Sequence, residues 1–190
     1  MSSAQIVRKP LHANEGAART LDIRLSVRFP QIARMTFRLI GRLPPRSRLR
    51  QALVWRMVRL GVEAFNRRDL DVVVLAYRAD LEYYPYREFV DAALAEPCYH
   101  GPSGYRRYID DTQDAWGTEV LLRPTELIDL GEQFVLLAEM PMRARASGIE
   151  LDQTYAGVST LKDGRVIRQH DYLNHAEALE AVGLSDEAPR

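Results

Sequence analysis

The chain has 190 residues, 46% of them hydrophobic, and its 26 lysines and arginines balance 26 acidic residues. This length suits one well-buried domain with an extension and excludes two ordinary domains. The charge is divided, because residues 1–60 hold 13 basic side chains against two acids and residues 61–190 hold 13 against 24. Such a basic segment can bind nucleic acid, anionic lipid or the acidic body of its own or a sister chain.

Cys98 is the single cysteine, so the sequence excludes a secreted protein held together by internal disulfides. No run approaches the ~20 apolar residues of a spanning helix, and the first ten residues lack the apolar segment of a signal peptide. We therefore expect a soluble, cytoplasmic protein. The four histidines do not have metal-ligand spacing, and phosphate-loop and serine-hydrolase motifs are lacking, so we expect neither metal nor cofactor.

Residues 1–20 show no periodicity, which predicts a mobile tail. From Pro30 onward, apolar residues recur at helical spacing beside arginines spaced by four. The apolar positions are Ile32, Met35, Leu39 and Leu43. This basic helix over residues 30–43 either contacts an anionic membrane surface or docks on its own domain or a dimer partner, and we favour docking because surface arginines are ordinary on docked helices.

Residues 1–46 are predicted to be this extension, residues 47–184 the domain proper, and residues 185–190 a C-terminal tail. Ser47 and Asp69 are suited to cap a long and a short helix, and Gly101-Pro102 to open a third. The remaining predicted elements are a strand over 81–85, an irregular loop over 86–99, strands over 119–129, 132–146, 149–161 and 166–173, and a helix over 175–182.

Helices come first in this order and hairpin-connected strands come last. The turn at Asp163-Gly164 supplies the positive backbone angles that a tight hairpin needs. Segregation of helices from strands predicts an α+β domain in which the helices cover one face of a curved antiparallel sheet, rather than the alternation of a parallel α/β fold.

The order of elements resembles the nuclear transport factor 2-like superfamily, and three stretches carry the likeness: residues 62–77, 100–108 and 157–174. The SnoaL-like branch is the most similar. The resemblance implies a cone-shaped curved antiparallel sheet with three helices packed on one face. Ketosteroid isomerases, limonene epoxide hydrolases and polyketide cyclases share this fold with members of no known reaction, so the fold does not fix an activity.

Ketosteroid isomerases use a tyrosine on the first helix and an aspartate at the end of the first strand. The resemblance places those positions at Gly61 and Pro85, and neither residue can do that chemistry. A further essential aspartate of these enzymes falls near Tyr155 or Ala156. Steroid isomerisation by the known mechanism is therefore not expected.

Limonene epoxide hydrolases are more similar near the end of the chain. Their last strand carries an aspartate-tyrosine pair, which corresponds to Asp171 and Tyr172, and Tyr83 falls near their pocket tyrosine. Their arginine and second aspartate correspond to Ala138 and Met140, so the charged triad is incomplete. That hydrolysis would lack most of its electrostatic support.

Strand alternation predicts a pocket with Asp171 on its inner face. Burial would raise the pKa of this carboxyl and suit it to acid or base catalysis. The predicted ligand-binding residues are Tyr83, Met140, Met142, Gln153, Tyr155, Gln169 and Leu173. A mostly apolar lining with few polar groups suits a small apolar molecule bearing a carbonyl or hydroxyl.

Two functions remain open from the sequence. The protein is either a cofactor-independent isomerase, cyclase or hydrolase using Asp171, or a non-catalytic ligand-binding or dimeric scaffold in which Asp171 only accepts core hydrogen bonds. The open sheet face is the expected homodimer surface. Nucleic-acid binding is not expected, because the basic arm lacks interleaved aromatic residues.

Overall fold

The computed structural model describes residues 6–13, 18–45, 47–116, 118–144 and 150–184. The predicted break at Gly148 and the tail over 185–190 lie outside these ranges. The strands are β1 (Val7–Pro10), β2 (Tyr77–Tyr84), β3 (Tyr99–His100), β4 (Thr118–Val120), β5 (Arg123–Asp129), β6 (Gln133–Ala144), β7 (Glu150–Lys162) and β8 (Arg165–Tyr172). The helices are α1 (Leu21–Arg28), α2 (Pro30–Arg42), α3 (Arg48–Asn66), α4 (Leu70–Val73), α5 (Arg87–Asp91), α6 (Gly101–Trp116) and α7 (His175–Ala181).

The described strands form one curved sheet in the order β1-β5-β6-β7-β8-β2-β3, with β4 pairing with β6. Strands β5 to β8 form the predicted antiparallel meander. At the β7–β8 turn, Asp163 and Gly164 both have positive φ, at 53° and 75°, as the hairpin prediction requires. The α+β prediction is confirmed.

The sheet is not wholly antiparallel, because β2 pairs with β8 in parallel. A parallel pair needs a long connection. Here the chain leaves β2, passes through α5, β3 and α6, and completes the meander before it reaches β8. The α5 helix and the first residue of β3 lie within residues 86–99, the stretch that the sequence predicts to be irregular.

The N-terminal segment is part of the sheet, and the prediction of a mobile tail is wrong there. Strand β1 pairs with β5, and Leu11 is completely buried. Arg19 holds Asp69 through two hydrogen bonds of 2.6 Å, and this ion pair lowers the pKa of Asp69. Four residues of edge strand are too few to produce a periodic signal, so the sequence pattern did not reveal β1.

Helix α2 docks on the domain, but through a different face from the predicted one. Its buried side chains are Ala33, Phe37 and Ile40. The predicted stripe of Ile32, Met35 and Leu39 is exposed instead. The prediction was wrong because the helix carries apolar residues on two sides, and periodicity alone does not tell which side faces the core.

A backbone contact fixes α2 against the hairpin turn. A Cβ atom added to Gly41 would lie 2.6 Å from the carbonyl carbon of Asp163, closer than side chains approach backbone. Glycine at this position therefore allows the helix to lie directly on the β7–β8 turn.

Helices α3 and α6 cover one face of the sheet, and the short helix α7 covers part of the other, over Ile128, Val135 and Val158. A buried ion pair fixes the start of α3, where Arg50 lies 3.2 Å from Asp129 and donates to the Gly131 carbonyl. Within the described ranges, no helix has the combination of length and apolar content that a bilayer crossing requires.

Candidate active site

The space between α3, α6 and the inner face of the sheet is a cavity of about 160 Å³. Aliphatic residues of α3 and of the central strands form much of its wall. Phenol rings form much of the rest. The tyrosines that line it are Tyr77, Tyr83, Tyr86, Tyr105, Tyr108 and Tyr155.

One carboxylate, Asp171 of β8, faces this cavity. Its Oδ2 accepts a 2.5 Å hydrogen bond from the Tyr83 hydroxyl. Its Oδ1 accepts from the Tyr155 hydroxyl at 3.0 Å and from Gln169 Nε2 at 2.9 Å. The Tyr77 hydroxyl in turn donates to Gln169 Oε1 at 3.0 Å. We call these five residues the Asp171 cluster.

Every hydrogen bond to Asp171 in the described structure comes from a neutral donor. A carboxylate offers about four acceptor positions, and the cluster occupies three of them. The remaining one belongs to Oδ2, whose only donor is Tyr83. The carboxylate is therefore held in a fixed orientation and retains one acceptor position for a further donor.

Burial sets the acidity of Asp171. Desolvation raises its pKa from 3.8 to about 6, while the hydrogen bonds from Gln169, Tyr83 and Tyr155 act in the opposite direction. A group with this pKa exists in both protonation states near neutral pH, which suits it to proton transfer. Burial also raises the pKa of Tyr83 and Tyr155, so both phenols stay protonated and remain donors.

The sequence around Tyr155 explains how its hydroxyl reaches Asp171. Gly157 lies two residues further along β7, on the same face, and is the cross-strand partner of Asp171. A Cβ atom at Gly157 would overlap the Tyr155 hydroxyl oxygen. Only glycine leaves room for the phenol to lie back over its own strand toward the carboxylate.

The rings around the carboxylate are packed against one another. Tyr83 meets Tyr105 edge-to-face at a centroid distance of 5.0 Å, and its ring lies 4.7 Å from that of Tyr108. Tyr77 also meets Tyr105 edge-to-face, at 4.9 Å. Such contacts fix ring positions, so the hydroxyl groups that donate to Asp171 are held in place by the packing of their rings.

The Tyr86 hydroxyl differs from the others. Its partner in the described structure is the sulfur of Met140, at 3.5 Å. Thioether sulfur is a weak acceptor, and burial raises the pKa of Tyr86, which keeps the phenol protonated. This hydroxyl can therefore turn to donate to an oxygen atom in the cavity.

Arg68 lies at the solvent edge of the cavity. It is exposed, has a positive φ of 60°, and donates from Nη2 to the Val120 carbonyl at 3.2 Å. It is the one basic side chain among the described residues that line the cavity. No group of histidine, cysteine and acidic side chains in the described residues could hold a metal ion.

Five of the predicted site residues lie together at the cavity: Asp171, Tyr83, Tyr155, Gln169 and Met140. The others do not join them in the described structure. Gln153 is exposed and lies outside the cavity lining, so the structure contradicts its predicted place in the pocket. Leu173 is half-buried and packs on the core outside the cavity lining. The side chain of Met142 lies outside what the structure describes.

Sequence reasoning missed several cavity residues. The predicted site does not include Tyr105 and Tyr108, although their i, i+3 spacing places both on one face of α6. Tyr86 falls just before α5, in the predicted irregular loop, where no periodicity could orient it. Tyr77 precedes the predicted start of its strand, which begins four residues earlier than expected.

His170, His100 and Cys98 lie outside the cavity lining. His170 stacks on Tyr84 at a centroid distance of 4.1 Å, and burial lowers the pKa of its imidazole. His100 is exposed, and Cys98 is half-buried outside the cavity lining. Alternation along β8 thus places His170 and Asp171 on opposite faces of the sheet.

No family model and no curated protein matches this sequence. Solved structures do match. They include proteins described as nuclear transport factor 2-like, SnoaL-like, polyketide-cyclase-like and of ketosteroid-isomerase-like fold. The chain has the nuclear transport factor 2-like fold. This confirms the superfamily that the sequence resembles.

Three of these structures define the extent of the similarity to this fold. A protein of unknown function from Burkholderia pseudomallei is 26% identical, with a TM-score of 0.56, over 67% of this chain and 95% of its own. TerC, crystallised with polyporic acid, is 18% identical with a TM-score of 0.56, over 66% and 94%. A SnoaL-like protein of unknown function from Burkholderia thailandensis is 16% identical with a TM-score of 0.52, over 65% and 97%.

Proposed function

We propose that this protein binds a small, mostly apolar molecule bearing a carbonyl or hydroxyl and moves a proton on it without a cofactor. The reaction class is that of an isomerase, cyclase or hydrolase. The observation that carries the proposal is the Asp171 cluster, in which a buried carboxylate with a pKa of about 6 faces an aromatic cavity.

The size of the cavity limits the ligand. An apolar cavity of ~150 Å³ accommodates benzene, and this one measures about 160 Å³. We therefore expect a ligand whose buried part is about one six-membered ring. TerC, which has the same fold, was crystallised with polyporic acid, and this supports the binding of a small molecule.

The cluster can carry a proton in both directions. With a pKa of about 6, Asp171 is mostly ionised at neutral pH and can remove a proton from a carbon next to a ligand carbonyl. The proton moves to Asp171 Oδ2, and the electron pair of the broken C–H bond moves onto the carbonyl oxygen. If a carbon–carbon double bond lies next to that carbon, return of the proton to the far carbon of the double bond completes an isomerisation.

The negative charge that develops on the ligand's carbonyl oxygen needs a hydrogen-bond donor from the protein. Tyr86 is suited to this, because its hydroxyl is bound to the Met140 sulfur and stays protonated. A phenol that donates to an enolate oxygen within an apolar cavity stabilises the charge more than water would. Asp171 then acts as the proton carrier and Tyr86 as the oxyanion donor.

A second function has its own support. The three hydrogen bonds to Asp171 join β2, β7 and β8, which is also what a structural carboxylate does. In that case the protein is a non-catalytic ligand-binding or dimeric scaffold. Its dimer would form through the sheet face opposite the cavity, beside the part that α7 covers.

A comparison of binding with turnover separates the two functions. Monocyclic ketones and phenols would be screened for binding by NMR and for chemical change, with the wild type, Asp171→Asn and the exposed-carboxylate control Asp80→Asn. We expect Asp171→Asn to retain binding and to lose about 10²- to 10⁴-fold in turnover, with the control unchanged. Binding without turnover by the wild type would instead favour the scaffold.

A further inference from the structure

The exposed apolar side chains of this protein are concentrated on α1 and α2. Nine large hydrophobic residues of the described structure are exposed, and six of them lie between residues 21 and 39. We call these six the apolar row: Leu21, Leu25, Phe29, Ile32, Met35 and Leu39. Their spacing of three or four residues places the members within each helix on one face.

The apolar row is not needed for docking on the domain. Ile23 of α1 and Ala33, Phe37 and Ile40 of α2 are buried and already fill that contact. Met35, by contrast, is 71% exposed. Large apolar groups gathered on a surface usually mark a site of association.

The charge around the apolar row is mostly positive, since Asp22 is the one acidic residue between residues 21 and 62. Residues 23–62 contain ten arginines and no acidic residue. The arginines of α1 and α2 are all exposed: Arg24, Arg28, Arg34, Arg38 and Arg42. Exposed apolar side chains interspersed with arginine are typical of helices that lie in the interface of an anionic membrane.

A second copy of the chain fits this surface less well. A closed dimer uses the same patch on both subunits, so the arginines of one copy would face those of the other. Contact with the acidic body of a sister chain would be head-to-tail and would not close. An anionic lipid surface complements both the charge and the apolar groups.

We propose that α1 and α2 form a peripheral membrane-binding surface, in which the apolar row enters the headgroup region and the flanking arginines contact anionic lipid. This surface is separate from the cavity. It makes no use of the Asp171 cluster, so its test does not depend on the proposed function.

Sedimentation with vesicles tests the proposal. Vesicles of phosphatidylcholine alone would be compared with vesicles containing roughly one-third phosphatidylserine. We expect the wild type to bind the anionic vesicles only, and more weakly at high salt. Each arginine near the surface contributes about five-fold in affinity, so Arg34→Glu/Arg38→Glu/Arg42→Glu should lose about 100-fold or more.

A second variant, Met35→Ser/Leu39→Ser, removes apolar groups without altering charge and should lose about 10-fold or more. Arg87→Glu and Leu94→Ser are matched controls, because both residues are exposed away from α1 and α2. All these positions are on the surface, so circular dichroism should show unchanged folds.

Three results would overturn the proposal. The first is that the wild type fails to sediment with the anionic vesicles. The second is that the control variants lose as much vesicle binding as the α2 variants. The third is that the apolar variant converts a dimer to a monomer in ultracentrifugation while vesicle binding stays the same, which would show that a second copy covers the row.

Discussion

The substitution Tyr83→Phe should raise the pKa of Asp171. The Tyr83 hydroxyl donates to Asp171 at 2.5 Å and is one of three bonds that hold this pKa down against desolvation. A hydrogen bond to a charged group is worth about 1.5–3 kcal/mol, and one pKa unit corresponds to about 1.4 kcal/mol. The pKa should therefore rise from about 6 to roughly 7–8.

The assay is a carboxyl-carbon NMR titration of aspartate-labelled protein. The Asp171 resonance is identified by its loss in Asp171→Asn. Tyr86→Phe serves as the control, because it removes a cavity phenol whose hydroxyl is bound to Met140 sulfur and not to Asp171. The control should leave the titration midpoint at about 6.

An Asp171 titration midpoint in Tyr83→Phe equal to that of the wild type would contradict this prediction. The prediction also fails if Tyr86→Phe moves the midpoint by the same amount, because general changes in cavity polarity would then explain the effect. Either result would contradict the prediction even if a crystal structure of Tyr83→Phe showed a water molecule in place of the hydroxyl.

Three further predictions concern stability. The folded-state pKa of Asp171 exceeds its ordinary 3.8, so the wild-type unfolding free energy should fall relative to Asp171→Asn by about 3 kcal/mol as pH rises from ~3 to ~7. A pH-independent difference would contradict this. Gly157→Ala displaces Tyr155 and should lower the free energy of unfolding by about 1–3 kcal/mol. In Gly61→Ala the added Cβ meets open space on α3, so this variant should raise the free energy of unfolding by up to about 1 kcal/mol. Equal denaturation midpoints for the two variants would refute this contrast. Arg50→Ala leaves the buried carboxylate of Asp129 without its ion-pair partner, so the free energy of unfolding measured by chemical denaturation should fall by about 3–5 kcal/mol. A fall of less than about 1 kcal/mol would contradict this.

The centre of the site was predictable because it lies on regular strands. Alternation along β8 placed Asp171 and Gln169 on the inner face, and alternation along the neighbouring strands added Tyr83 and Tyr155. The turn at Asp163-Gly164 set the register. A period of two fixes the direction of every side chain once a single residue is placed.

The same rule failed for Gln153, although Gln153 is the cross-strand partner of the buried Met140. Alternation assigns a face but does not tell which positions on that face other elements cover. Burial at a given position depends on the packing of other elements, which a local pattern does not contain.

The N-terminal region shows the other limit of the pattern. Helix α2 has apolar residues on two faces, and its contacts with α3 and with the hairpin turn at Gly164 determine which face is buried. Strand β1 is held by backbone pairing with β5, which leaves no side-chain signal. Both features depend on long-range contacts.

Base catalysis by Asp171 can be tested most directly by proton exchange. Monocyclic ketones that bind the cavity would be incubated with the protein in D₂O, and loss of the protons next to the carbonyl would be followed by NMR at several pH values. The account predicts exchange whose rate rises through a midpoint near the Asp171 pKa of about 6 and is lost in Asp171→Asn. Equal exchange by the wild type and Asp171→Asn would contradict it.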